Sequence, residues 1–251
     1  MLEACYVSDV GRKRTLNQDS VFITTRSLGA LPNLLLLADG MGGHKAGDYA
    51  SRKAIEIIKD EISASQETDS VQLFTKAIET ANTKLYEKSV QDSNYSGMGT
   101  TLVAACYMDD KLTVANIGDS RLYLIRENTM VQVTRDHSYV AEMIRSGTIS
   151  QDQAKNHPRK NYITRAVGAF PRTTADFFYV DILSGDVILI CSDGLTNMLE
   201  DEQILSDVYQ EETLQEACAK LVRDANENGG ADNISVILAR PLSEQEDRCD
   251  D

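Results

Sequence analysis

Residues 34–44 read LLLLADGMGGH, and this stretch decides how the rest of the chain is interpreted. Its five leading apolar residues are too few for a buried helix and are typical of a fully buried strand. The strand ends in Asp39, and three of the next four residues are glycines, which let a backbone approach a ligand closely. A carboxylate in that position offers the hard oxygen ligand that Mg²⁺ or Mn²⁺ prefers.

Asp39-Gly40 is also the dipeptide typical of a two-residue hairpin turn. A hairpin needs a second strand directly after its turn. Residues 46–63 instead carry alanine and isoleucine at helical spacing. A strand that ends in Asp-Gly and leads into a helix is more typical of a ligand site than of a hairpin.

Three other predicted strands carry aspartate at one end. Residues 187–194 read VILICSDG, residues 113–120 read TVANIGDS, and residues 231–233 read ADN directly before the last strand. Asp193, Asp119 and Asp232 therefore repeat the arrangement of Asp39. Four such strand ends in one chain indicate a shared metal site rather than four unrelated turns.

The composition is that of an ordinary globular protein. The chain has 251 residues, 42% hydrophobic and 25% charged, so we expect one domain over residues 1–242 and an acidic, frayed tail over residues 243–251. It contains no apolar run long enough to span a membrane and no signal peptide, which favours the cytoplasm. The net charge of −14 argues against nucleic acid and anionic membranes as partners.

The five cysteines show no zinc spacing, and three histidines are too few for a multi-histidine zinc site. We expect the cysteines that lie in apolar strands to be buried structural thiols.

The strands come in blocks, which predicts antiparallel sheets with helices outside them and argues against a doubly wound parallel sheet. Strands are predicted over residues 3–8, 20–25, 34–38, 100–107, 111–117, 121–126, 129–133, 175–182, 186–191 and 234–239, and helices over 46–63, 71–90 and 213–226.

Two segments carry basic residues in this acidic chain. The loop over residues 9–19 contains Arg14, whose guanidinium could bind a phosphate with two parallel hydrogen bonds, although a solvated basic loop is the alternative. Residues 136–169 are the most basic and least strand-like part of the chain, with signs of short helices. We interpret this segment as a flap beside the site.

The ordered motifs resemble the metal-dependent type 2C family of protein serine/threonine phosphatases, in its bacterial form. The matching pieces are residues 14–19, 39–43, 99–101, 116–121, 192–194 and 232–233. The resemblance implies an α+β fold, a four-layer α-β-β-α sandwich with two central antiparallel sheets flanked by helices. It also implies two Mn²⁺ or Mg²⁺ ions that share a bridging hydroxide, and a possible third ion.

The resemblance assigns the metal ligands to particular residues. Asp39 would bridge the two ions, and the Gly40 carbonyl would hold one of them. Asp193 and Asp232 would hold the other ion. Asp119 and Asp193 match the ligands of the third ion in bacterial relatives. Two such ions activate a water for in-line attack on phosphorus, so no covalent nucleophile is needed.

Other residues receive roles around the metals. Arg14 would orient the phosphate, and Asp19 would support the metal-bound waters. Animal relatives carry a histidine, proposed as general acid, directly after the Asp-Gly, where this chain has Met41. His44, three residues further on, is the candidate replacement. A structural role for His44 is the equally open alternative. The residue before Asp19 is often glutamate in the family and is Gln18 here, which weakens a direct ligand role.

The function that follows is hydrolysis of phosphoserine and phosphothreonine in proteins. Two alternatives stay open: a regulatory phosphoprotein-binding relative with little activity, and a phosphatase dedicated to an anti-sigma-type regulator. No predicted metal aspartate is missing, which disfavours the first. The expected partners are phosphorylated proteins, namely a cognate serine/threonine kinase and its substrates, and the chain is expected to be a monomer.

Overall fold

Two antiparallel sheets form the centre of the structure, a computed structural model that describes residues 1–43, 46–155 and 157–242. The strands are β1 (Leu2–Asp9), β2 (Asp19–Thr24), β3 (Leu34–Met41), β4 (Gly99–Thr100), β5 (Leu102–Met108), β6 (Lys111–Ile117), β7 (Arg121–Arg126), β8 (Thr129–Gln132), β9 (Asp176–Asp181), β10 (Val187–Cys191) and β11 (Ile234–Pro241). One sheet has the order β1-β11-β10-β7-β8 and the other β2-β3-β5-β6-β9, with β4 paired to β3.

The helices are α1 (Ala46–Ala64), α2 (Ser70–Gln91), α3 (Tyr139–Arg145), α4 (Gln151–Lys155), α5 (Asp193–Thr196), α6 (Asp201–Gln210) and α7 (Leu214–Glu227). Helices α1 and α2 cover the outer face of one sheet and α5, α6 and α7 that of the other, while α3 and α4 lie in the segment between β8 and β9. In the described part of the chain, no helix combines the length and the apolar character needed to cross a bilayer.

The four leucines of β3 show why the layers stack as they do. Leu34 and Leu36 pack against α1 and α2 in one core. Leu35 and Leu37 point the other way and pack between the two sheets, because successive side chains of a strand alternate between its faces. A third core lies between the first sheet and the helices α6 and α7. The predicted α+β class and four-layer α-β-β-α sandwich are confirmed.

Every strand and helix predicted from the sequence is present, with one predicted strand divided into β4 and β5. The strand predicted over residues 186–191 is present as β10. The strand ends at Cys191, Ser192 takes the extended conformation of a helix N-cap, and Asp193 is the first residue of α5. Helix α6 was not predicted, although Ile204 and Val208 sit four residues apart on its buried face. The predicted tail, residues 243–251, lies outside the described residues.

Candidate active site

The predicted metal aspartates meet at one end of the sandwich. Asp39 in β3 lies directly opposite Asp19, the first residue of β2. Asp193 follows β10 and Asp232 precedes β11, and these two strands are antiparallel neighbours. Asp119 lies in the turn between β6 and β7. The negative charges of the other four all act on Asp39.

Four of these carboxyl groups, those of Asp19, Asp39, Asp119 and Asp193, have raised pKa values. Burial, followed by the charges of Asp19 and Asp193, raises the pKa of Asp39 well above its usual range. Burial raises the pKa of Asp119 to about 8 and that of Asp19 to about 7. Burial and the charge of Asp232 raise the pKa of Asp193 to about 6. A cation bound among these groups would stabilise the ionised carboxylates. It would offset both the cost of burying their charges and their mutual repulsion.

Asp19 shows that the site fits a metal ion. One carboxylate oxygen, Oδ2, accepts a hydrogen bond of 2.8 Å from Ser192 Oγ, while the buried Oδ1 has no hydrogen-bond partner. Among the described residues, no three Asp, Glu, His or Cys side chains are already arranged closely enough to coordinate one metal ion together. The fit therefore rests on the donors themselves, which are carboxylate oxygens of the kind that Mg²⁺ and Mn²⁺ prefer.

Arg14 lies at the mouth of this cluster. Its Nη2 donates a hydrogen bond of 2.8 Å to Asp232 Oδ2, and 51% of its side chain is exposed. The guanidinium is thus held beside the carboxylates and open to a ligand from solvent. The candidate general acid, His44, lies outside the described residues.

Asn233 fixes the loop that carries Arg14. Its Nδ2 donates to the carbonyls of Val10 and Leu16 at 2.9 and 3.0 Å, and its Oδ1 accepts from the Gln18 N–H at 2.8 Å. The side chain is 5% exposed. The only sequence signal for this role is the position of Asn233 next to Asp232, because its partners lie more than two hundred residues away.

The Gly-Thr-Thr motif holds the backbone of Asp39. The Asp39 N–H donates to Thr101 Oγ1, and the Asp39 carbonyl accepts from the Thr101 N–H and from Thr100 Oγ1, each at 2.9 Å. Thr101 Oγ1 also lies 2.7 Å from Ser120 Oγ, beside Asp119. The motif therefore connects two of the strand ends that carry aspartates.

The glycine of each Asp-Gly pair is needed for close approach of two backbones. A Cβ on Gly40 would lie 2.1 Å from the Gly47 carbonyl oxygen, and one on Gly194 would lie 1.9 Å from the Asn233 carbonyl oxygen. Both distances exclude any side chain. The repeated Asp-Gly thus reflects packing around the aspartates and not hairpin turns.

Residues 136–169 form one wall of a cavity of about 540 Å³ beside the aspartates. Asp119 and Asp193 lie at the site end of this cavity, and Ser138, Ile144 and Lys160 line it from the segment. Helices α3 and α4 are the short helices that the sequence indicates there.

His137 connects this segment to the turn that carries Asp119. Its Nδ1 accepts a hydrogen bond of 3.1 Å from the Gly118 N–H, so Nε2 carries the proton and faces Asp176 Oδ2 at 3.1 Å. The side chain is 1% exposed, and burial lowers the pKa of His137. His137 is therefore a neutral internal link and adds no positive charge to this basic segment.

The chain is similar to several known proteins. The family described as Protein phosphatase 2C matches residues 11–238. A serine/threonine phosphatase, stp, of Listeria monocytogenes is 37% identical over 246 residues, which cover 94% of this chain and 95% of that protein. The S. agalactiae serine/threonine phosphatase superposes with a TM-score of 0.91 at 34% identity, covering 96% of this chain and 100% of that one.

A third relative carries metal ions. The catalytic domain of the serine threonine protein phosphatase PstP, solved in complex with 2 manganese ions, superposes with a TM-score of 0.85 at 31% identity. The match covers 96% of this chain and 99% of that domain.

Proposed function

The chain belongs to the protein phosphatase 2C family, and we propose that its clustered aspartates hold the divalent ions with which it hydrolyses phosphoserine and phosphothreonine in proteins. It is a protein serine/threonine phosphatase, a hydrolase that acts on phosphoproteins. Its family and the manganese-bound relative support the use of a divalent metal ion.

We assign two core ions, Mn²⁺ or Mg²⁺, to Asp39, the Gly40 carbonyl, Asp193 and Asp232. Asp39 would be a ligand of both ions. Asp119 and Asp193 are the proposed ligands of a third ion. Ions held there would acidify a water for direct attack on phosphorus and neutralise the charge that develops on the phosphate oxygens.

The convergence of the five aspartates at one end of the sandwich is the observation that carries this assignment. Burial and four neighbouring carboxylates raise the pKa of Asp39, and a structural role gives no reason to bury so many like charges together. All the predicted aspartates are present, which favours catalysis over a binding relative without activity.

The remaining groups bind and orient the substrate. Arg14, held 2.8 Å from Asp232, is placed to bind the phosphate oxygens as the phosphoryl group enters beside the aspartates. The unpartnered Asp19 Oδ1 is placed to accept a hydrogen bond from a water at the site. We keep His44 as the proposed proton donor to the leaving alkoxide, because it follows the glycine-rich turn after Asp39.

We propose that residues 1–242 act as one catalytic domain, in which residues 136–169 are a flap that selects the protein around the phosphorylated residue. The partners would be a cognate serine/threonine kinase and its substrates, bound by a monomeric phosphatase. The four described cysteines are free thiols, which supports a reducing compartment such as the cytoplasm.

Hydrolysis of a phosphothreonine peptide tests the proposed function. Wild type with Mn²⁺ is expected to release phosphate, and addition of EDTA or the substitution Asp193→Asn is expected to abolish release. The exposed Asp60→Asn serves as the matched control and should stay active. Turnover that survives EDTA would contradict the metal assignment, and a folded, Mn²⁺-loaded protein without turnover would point to a binding relative.

A comparison of two substrates tests the flap. Lys160 lines the cavity beside the aspartates, so Lys160→Ala should lower kcat/KM for a phosphopeptide more than for a small aryl phosphate. Lys76→Ala, on the exposed face of α2, is the control. Equal losses on both substrates would refute a role of this segment in protein recognition.

A further inference from the structure

Two thiols from opposite ends of the chain face each other away from the aspartates. Cys5 lies in the middle of β1, opposite Leu238 of β11, and Cys218 lies in α7. Their sulfur atoms are 3.2 Å apart, although 213 positions separate them in the sequence. This distance is shorter than van der Waals contact between two sulfur atoms and about 1.2 Å longer than a disulfide bond.

The two thiols differ in accessibility and acidity. Cys5 is half-buried on β1, which is the edge strand of its sheet, whereas Cys218 is fully buried. The contact with Cys218 lowers the pKa of Cys5, and the same contact, together with burial, raises the pKa of Cys218. The thiolate is the reactive form of cysteine, so an oxidant meets Cys5 first.

We propose that Cys5 and Cys218 are an oxidation site, at which a hydroperoxide converts the two thiols into a reversible disulfide that joins β1 to α7. The Cys5 sulfur attacks a peroxide oxygen, the O–O bond breaks, and Cys5 becomes a sulfenic acid with release of hydroxide. The Cys218 sulfur then attacks the Cys5 sulfur and displaces its oxygen as water. Overall, two thiols and one hydrogen peroxide give one disulfide and two waters.

The cross-link would join two segments that converge beside the active site. β1 leads into the Arg14 loop, and α7 leads to Gly230, whose carbonyl accepts hydrogen bonds from the Arg12 and Lys13 N–H groups at 2.8 and 3.1 Å. The disulfide would close a loop of more than two hundred residues, the case in which the chain-entropy model gives the largest stabilisation.

The other described cysteines are unlike this pair. Cys106 and Cys191 are buried within strands, and burial raises their pKa values to about 11 and about 12. They provide internal controls because burial outweighs the groups around them that favour the thiolate. Cys249 lies outside the described residues and is replaced by serine in the test protein.

The test is stepwise oxidation of the full-length Cys249→Ser protein with hydrogen peroxide, followed by thiol counting after denaturation, intact mass and peptide mapping. The expected result is loss of two of the four remaining thiols, a mass lower by two hydrogens, and one linked peptide pair containing Cys5 and Cys218. Dithiothreitol should restore both thiols. The oxidised form should melt higher by on the order of 5–10 °C.

Variants distinguish disulfide formation between Cys5 and Cys218 from oxidation of other cysteines. Cys106→Ala should still lose two thiols, whereas Cys218→Ser should form no disulfide and leave a sulfenic acid on Cys5. If Cys218→Ser does not fold, Cys5→Ser, at the half-buried position, should likewise form no internal disulfide and should keep the buried Cys218 as a thiol. Linked dimers in place of the internal disulfide, over-oxidation of Cys5 in the protein with both cysteines, or unchanged melting of the cross-linked form would each overturn the proposal.

Discussion

Replacement of Asn233 by alanine probes how the Arg14 loop is held. The change removes three hydrogen bonds of 2.8–3.0 Å from a side chain that is 5% exposed. Each buried hydrogen bond contributes about 0.5–1.5 kcal/mol, so the free energy of unfolding should fall by about 2–4 kcal/mol. For a chain of this size the melting temperature should drop by about 5–15 °C.

The same change should reduce activity through Arg14. With the loop released at Val10, Leu16 and Gln18, the guanidinium loses its fixed position beside Asp232. We expect kcat/KM for a phosphothreonine peptide to fall at a temperature where the variant is fully folded.

A double-mutant cycle isolates this effect, because residues that act together are not additive. In an Arg14→Ala background, Asn233→Ala should cost little further activity. Asn33→Ala is the matched control, since Asn33 is also 5% exposed and its two hydrogen bonds join the Tyr107 backbone at the far end of β3. It should lower stability and leave kcat/KM unchanged. Equal activity losses in the Asn233 and Asn33 variants, or full additivity with Arg14→Ala, would refute the reasoning.

Three further predictions concern pH, packing and the Gly-Thr-Thr motif. Because burial lowers the pKa of His137, the unfolded chain protonates this histidine below about pH 6.5 before the folded protein does, so the contribution of His137 to stability should be lost as the pH falls from about 7. The aspartates with raised pKa values act in the opposite direction but are common to both proteins, so denaturant titrations should show that stability becomes less favourable in wild type relative to His137→Asn as the pH falls. An unchanged difference between the two proteins across this pH range would contradict a buried neutral His137. Gly194→Ala places a Cβ 1.9 Å from the Asn233 carbonyl oxygen and should lower the free energy of unfolding, measured with denaturant, by about 3 kcal/mol or more. Gly43→Ala is the control, because its Cβ meets nothing within 4 Å and should leave the stability unchanged. Thr101→Val removes the acceptor of the Asp39 N–H and should weaken Mn²⁺ binding measured by calorimetry; unchanged affinity would refute the positioning role.

Local patterns predicted antiparallel sheets with helices outside them, and the family resemblance implied the four layers. The leucine run of β3 indicated a strand buried on both faces, and the two faces pack into separate cores. Aspartates at strand ends could be recognised from the sequence because each lies directly beside its own strand. A single-turn helix such as α5 was not recognisable, since four residues carry no periodicity.

The supporting residues could not be predicted because their partners are remote in sequence. Asn233 holds a loop 217 residues away, and His137 links Gly118 to Asp176 through its two ring nitrogens. No spacing rule connects such positions. Only the folded chain shows which polar side chains face one another.

Calorimetric titration of Mn²⁺ into chelator-treated protein tests the central claim, that the clustered aspartates form the metal site. Wild type should bind Mn²⁺, Asp39→Asn should weaken binding by on the order of tenfold or more, and the exposed Asp60→Asn should bind as wild type does. Unweakened Mn²⁺ binding in a folded Asp39→Asn protein would contradict the account.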